Sequence, residues 1–165
     1  MLGDFARMAH YPDLSVCGYV SSDSSSHCLA VGWLEPEHAF AHGDVSPEFF
    51  ERLCHLLVEP WSFVASAGVH RCGFCRFSGG GSASFKSHRI SGVGSGMLFV
   101  PSGSTIYVSP TSIAHYIDAH GYCPPAEFQS AVMECPEMRS LAYMRALLAT
   151  PARQWIQKTH EPVAS

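Results

Sequence analysis

Residues 97–123 read MLFVPSGSTIYVSPTSIAHYIDAHGYC, and this stretch passes from strand chemistry to helix chemistry without interruption. Met97 to Val100 and Thr105 to Val108 are short runs rich in apolar and β-branched residues, with turn-forming Pro101-Ser102-Gly103 between them. The pattern predicts two strands joined by a turn. Thr111 or Ser109 can cap a helix through Ile113, Ala114, His115, Tyr116, Ile117 and Ala119. Gly121 follows His120 directly and suits the left-handed position that ends a helix.

Upstream, strand and turn chemistry dominates. Leu14 to Val20 alternates loosely, Cys28 to Leu34 is a short apolar run, and the serine-rich residues 21–26 between them read as a loop. One helix interrupts this half. Ser46-Pro47-Glu48 supplies a cap, a proline suited to the first helical position and an acid for the positive end of the dipole. Phe49, Phe50, Leu53, Leu56 and Leu57 then fall on one face, and Pro60 stops the helix. Phe63 to Val69 reads as a strand, and Phe74 to Phe77 as its partner across a turn carrying Cys72 and Cys75. Gly and Ser dominate residues 78–96, which by composition form a flexible insertion.

Downstream, Pro124-Pro125 opens a helix over Ala126 to Glu134. Further helices are expected from Glu137 to Ala149, and from Pro151 to Lys158 with Thr150 as cap. The expected class is α+β, a β-rich N-terminal half with hairpins followed by a helical C-terminal half. A single domain is expected over residues 1–150, with a C-terminal helix and tail over 151–165. A chain of 165 residues buries roughly 70% of its unfolded surface, so it does not need a metal merely to fold.

The chemistry concentrates in two pairs. Cys72 and Cys75 form C-x2-C, and His115 and His120 form H-x4-H after thirty-nine intervening residues. Two thiolates and two imidazoles are a tetrahedral zinc set, and together they balance the ion's charge. Cysteines two apart at a tight turn aim both sulfurs at one centre. Histidines five apart do not share a face in an ideal helix, but they can converge in a last turn, and Gly121 places that turn at His120. His70, two residues before Cys72, is an alternative ligand. The competing reading makes Cys72 and Cys75 small hairpin residues and His115 a core histidine. The site is expected to be structural, joining the two halves of the fold. There is no H-E-x-x-H, and no H-x-E partners the C-x2-C as deaminase chemistry requires. Only Asp118 and Glu127 are acids close by in sequence.

The other cysteines, Cys17, Cys28, Cys54, Cys123 and Cys135, are isolated and read as buried apolar residues. Seven cysteines, no export signal and no apolar run of membrane length point to a cytoplasmic chain with reduced thiols and no membrane partner. Glu35, Glu37, His38, His42 and Asp44 cluster near one turn, which reads as a solvated loop or as an acid–base group. Trp33, Trp61 and Trp155 read as packing residues.

Net charge is −4, yet all fourteen acids lie outside Pro60 to Ile117, a stretch holding Arg71, Arg76, Lys86 and Arg89. Those four residues are the candidates for nucleic-acid contact, although the overall acidity favours a protein partner. Three functions remain open on these residues. The first is a zinc module that mediates protein interaction. The second is a metal-dependent hydrolase using His70, Cys72, Cys75 and one helical histidine around a water. The third is a nucleic-acid-binding zinc module.

The blocks Gly32-Trp33-Leu34, Ala67 to Cys75 and His115 to Pro125 resemble a family of small, uncharacterised bacterial proteins, and Cys135 to Ser140 resembles that family's later block. The resemblance runs through G-x-H-x-C-x-x-C and H-Y-x-x-x-H-G-Y-x-P-P and covers most of Val31 to Ala149. It implies a bacterial cytosolic setting and brings no activity with it. The Gly/Ser insertion after Phe77 departs from the family pattern.

Overall fold

The structure is a computed structural model that describes residues 10–21, 23–24, 26–63, 70–75 and 81–158. Its elements run β1 (Cys28–Ala30), α1 (Pro47–Val58), β2 (Gly81–Phe85), β3 (His88–Val93), β4 (Met97–Ser102), β5 (Thr105–Pro110), α2 (Ile113–His120), α3 (Ala126–Glu134), α4 (Leu141–Leu148) and α5 (Ala152–Lys158). Strands lie mostly in the first part of the chain and helices in the second, so the class is α+β.

The central sheet has the order β1-β5-β4. β4 and β5 form the antiparallel hairpin expected at 97–108, with Phe99 opposite Val108 and Ser102 opposite Thr105. β1 joins β5 in parallel, with Leu29 opposite Tyr107, a pairing that local sequence does not encode. The far side of β1 is covered by residues 14–17, through Leu14 N–H to Ala30, Ala30 N–H to Ser15 and Cys17 N–H to Cys28. Trp33 is almost fully buried, and its indole N–H donates to the Val108 carbonyl at 2.9 Å.

α1 forms as its sequence predicts. The Ser46 hydroxyl accepts from Phe49 N–H at 3.1 Å, and Phe49, Leu53, Cys54, Leu56 and Leu57 are buried. Each large side chain so buried contributes roughly 1.5–3 kcal/mol, which far outweighs the cap. α4 starts at Leu141, four residues later than expected. Arg139 sits at φ 63°, outside the helical region, and the Ser140 hydroxyl caps the helix by accepting from Tyr143 N–H. The Tyr143 hydroxyl donates to Phe99 on β4 at 2.7 Å, and Trp155 on α5 packs on Phe63 and Phe99. Trp61 lies against Phe99 and Tyr143 in the same cluster.

The Gly/Ser stretch differs from its compositional reading. Residues 81–93 form a β2–β3 hairpin with Phe85 opposite His88 and Ala83 opposite Ile90. Phe85 and Ile90 are buried, whereas Ser82, Ser84, Arg89 and Ser91 are exposed. This period-two alternation gives the hairpin an apolar face that packs on α1, where Phe85 meets Phe50 edge to face. The expected strand over Phe63 to Val69 lies largely outside the described residues, as does the Phe77 end of its partner. The Cys72–Cys75 turn between them is described, and Cys75 N–H bonds to the Cys72 carbonyl at 3.4 Å.

Candidate metal centre

The two ligand-bearing segments reach one point by different means. His70 N–H donates to the Gly94 carbonyl at 2.7 Å, which anchors the chain just before the Cys turn to the end of β3. Gly94 has φ 81°, and a Cβ there would lie 2.2 Å from the His70 carbonyl oxygen, so no other residue permits this approach. Beyond the anchor, Gly73 rests against Pro36, and Phe74 packs edge to face on Phe40 and Tyr116.

On the helix side, α2 ends in a widened turn. The Gly121 amide, at φ 65°, bonds back five residues to the Tyr116 carbonyl, and the Tyr122 amide bonds to the same oxygen at 3.1 Å. A turn closed over five residues rotates less per residue than an α-turn, which swings His120 back towards the face of His115. The two imidazoles end with centroids 5.1 Å apart. Neither Thr111 nor Ser109 caps the start of α2 as expected. The Thr111 hydroxyl instead donates to Gly92 at 2.8 Å, and the Ser109 hydroxyl is buried without a hydrogen-bond partner among the described residues.

The end of α2 is held from outside. Gly43 N–H bonds to Gly121 at 3.1 Å and Cys123 N–H to Ala41 at 2.9 Å. Tyr122 is fully buried, and its hydroxyl donates to the Asp13 carboxylate, 2.9 and 3.0 Å from its two oxygens. Asp13 also accepts the Gly32 N–H at 2.9 Å. Burial, and then the Asp13 charge, push the Tyr122 phenol far above its ordinary range, so it stays a donor.

Together these constraints place Cys72, Cys75, His115 and His120 with one ligand atom each, all within 4.8 Å of one another. Cys72 Sγ lies 3.3 Å from His120 Nε2, and Cys75 Sγ lies 3.4 Å from His115 Nε2 and 3.2 Å from His120 Nε2. The group could hold a metal ion. Burial raises the Cys72 thiol, with the neighbouring Cys75 adding to the shift. Burial lowers the His115 imidazole, with His120 adding and Asp118 opposing. Burial thus biases the Cys72 thiol and the His115 imidazole towards their neutral forms, and for the imidazole that is the form that binds a metal.

His70 lies apart from the four. It lines a small cavity with Tyr19, Trp33 and Met97. The acid–base cluster is dispersed: His38 stacks on His10 at 3.8 Å, His42 stacks on Phe40 at 4.3 Å, and Asp44 lies in a cleft beside α1. Three of the four basic residues are described. Arg71 and Arg89 are exposed, Lys86 lies 3.9 Å from Glu51, and Arg76 is outside the described residues. Cys17, Cys28, Cys54 and Cys135 are buried, Cys123 is half-buried, and all seven cysteines are free.

One contact network had only a faint sequence signal. On α1, Glu51 pairs with His88 at 2.5 Å, while Arg52 and His55 both reach Glu137 at 2.6 Å. The i, i+4 spacing of Glu51 and His55 puts both on one helix face, but their partners lie 37 and 82 residues away.

No helix among the described residues is long and apolar enough to cross a membrane. A search of curated proteins and a search of solved structures each find no match. Residues 9–133, which contain all four side chains of the cluster, match the family model described as Domain of unknown function (DUF7919). The chain belongs to this family.

Proposed function

We propose that the chain is a small zinc-binding module, with one Zn²⁺ held by Cys72, Cys75, His115 and His120 in a closed structural site, and that the braced module binds another protein. The sulfur–nitrogen separations carry this reading. Tetrahedral zinc with Zn–S near 2.3 Å and Zn–N of 2.0–2.1 Å separates S from N by about 3.5 Å. The observed separations are 3.2–3.4 Å.

Four protein donors, none a carboxylate, fill the coordination of zinc and leave no place for a reactive water. This supports a structural role over a hydrolytic one. A net charge of −4 and the placement of Lys86 beside Glu51 support a protein partner over nucleic acid. Leu141 is 78% exposed on α4, with Leu148 exposed seven residues on, which suits protein contact. Seven free thiols fit a reducing cytoplasm, and the block resemblance fits a bacterial one.

The test is elemental mass spectrometry on the purified chain beside a Cys72→Ser/Cys75→Ser double variant. One zinc per chain, absent from the variant, is expected. No metal in either protein removes the proposal.

A further inference from the structure

An open cleft of about 430 Å³ lies on the face of α2 next to, but not shared with, the cysteine–histidine cluster. Its apolar floor is Val45, Phe50 and Ile117, and its charged lining is Asp44, Lys86 and Asp118. These residues come from three separate places: the loop entering α1 with the first turn of that helix, the tip of the β2–β3 hairpin and the last turns of α2. The volume falls within the range of small-molecule sites, and an apolar floor with a few placed charges is how such sites are composed.

The charges are available. Among the described residues, neither Asp44 nor Asp118 takes part in an ion pair or a side-chain hydrogen bond. Lys86 lies 3.9 Å from Glu51, but the nearer partner of Glu51 is His88, at 2.5 Å. The ammonium has three donors, so it can take a second acceptor. Lys86 is also the first residue of a two-residue hairpin loop and sits at φ 50°. Gly or Asn is favoured at such a position. Lysine holds the place at a conformational cost, and thereby sets an ammonium in the lining of the cleft.

We propose that this cleft binds a zwitterionic small molecule of about dipeptide size. Lys86 receives its carboxylate, Asp44 and Asp118 receive its ammonium, and Phe50 and Ile117 receive an apolar side chain. Both signs of charge are needed. A purely anionic ligand meets two carboxylates, and a purely cationic one meets the lysine. None of the four cluster residues lines the cleft, and its link to them is the charge of Asp118 acting on His115.

The test is an NMR titration of the full, ¹⁵N-labelled chain with three probes: leucyl-phenylalanine, its N-acetyl form and its C-terminal amide. The free dipeptide is expected to bind saturably, with shifts centred on residues 43–50, 86 and 117–121. Losing one charge-assisted contact is worth about tenfold in affinity, so each blocked form should bind about tenfold more weakly. Equal affinities for the three probes, or no saturable binding at about 10 mM, overturn the proposal. Two variants separate recognition from folding. Lys86→Gly relieves the left-handed backbone, so its melting temperature should hold or rise while dipeptide affinity falls about tenfold. Asp44→Asn should narrow the preference for the free dipeptide over its N-acetyl form. Wild-type affinity in the glycine variant, or an unchanged preference in the asparagine variant, also overturns the proposal.

Discussion

The sheet and the metal corner are built on opposite terms. Phe99, Val108, Leu53 and Phe128 are apolar and almost completely buried, and burial is the main source of their packing. At the corner, Cys72 is 8% exposed, Cys75, His115 and His120 are half-buried, and the convergent groups are polar. The difference lies in what satisfies each region: apolar burial in the sheet, and at the corner four polar groups that could share a metal ion. A buried polar group is costly until something satisfies it.

The sharpest break of that comparison is expected from Phe99→Ala. It should lower global stability by about 3–5 kcal/mol in urea unfolding, with metal content unchanged below the transition. Next comes the corner itself. On the zinc proposal, the Cys72→Ser/Cys75→Ser variant should lose metal and show faster amide exchange at residues 70–75 and 113–123 while β4 and β5 stay protected. Global unfolding on metal loss would erase the distinction between the two regions. Gly94→Ala strikes the joint between them. The clash with the His70 carbonyl should cost about 2–3 kcal/mol and weaken metal retention, read by unfolding and by competition with a chelator.

Titration sharpens the contrast further. Burial holds Cys28, Cys54 and Cys135 up to about 12 from an ordinary 9.0, and Tyr116 up to about 12 from 10.0. The folded state therefore keeps protons that the unfolded state releases. This contribution is fully present below pH 9 and is lost as pH rises towards about 12. The urea midpoint should fall steadily above pH 9, and a flat profile would contradict the burial of these groups. The smallest effect is expected at the surface. Glu137 is held below its ordinary 4.5 by Arg52 and then His55. Its contribution is present above pH 4.5 and lost as pH falls through its lowered value. Exposed as it is, Glu137→Gln should cost less than about 1 kcal/mol at neutral pH and should flatten the acid limb of stability.

The sequence was most legible where one local signal decided the outcome. Ser46-Pro47 started α1, the 97–120 stretch yielded β4, β5 and α2 in order, and the four site residues stood out as two pairs. It was least legible where meaning depended on distant partners. Serine and glycine counts hid the alternation of Phe85 and Ile90, because their burial rests on α1, and the parallel pairing of β1 with β5 crosses more than seventy residues. Convergence of His115 and His120 in a last turn set by Gly121 was legible, whereas the double bond of that turn to the Tyr116 carbonyl was not. Nor did the sequence mark Gly94 among its many glycines, although it alone admits the His70 carbonyl.

The hydroxyl of Tyr143 on the Phe99 carbonyl has a consequence for solubility. Among the described residues β4 is the last strand of its sheet, and such an edge is a template on which another chain can add a strand. Tyr143 occupies an acceptor on that edge, and Trp155 lies against Phe99 beside it. Both belong to chain beyond residue 133, where the family match ends. A fragment trimmed to the matched region would keep the cysteine–histidine cluster and lose this sheath, leaving a sticky strand where the whole chain has a guarded one.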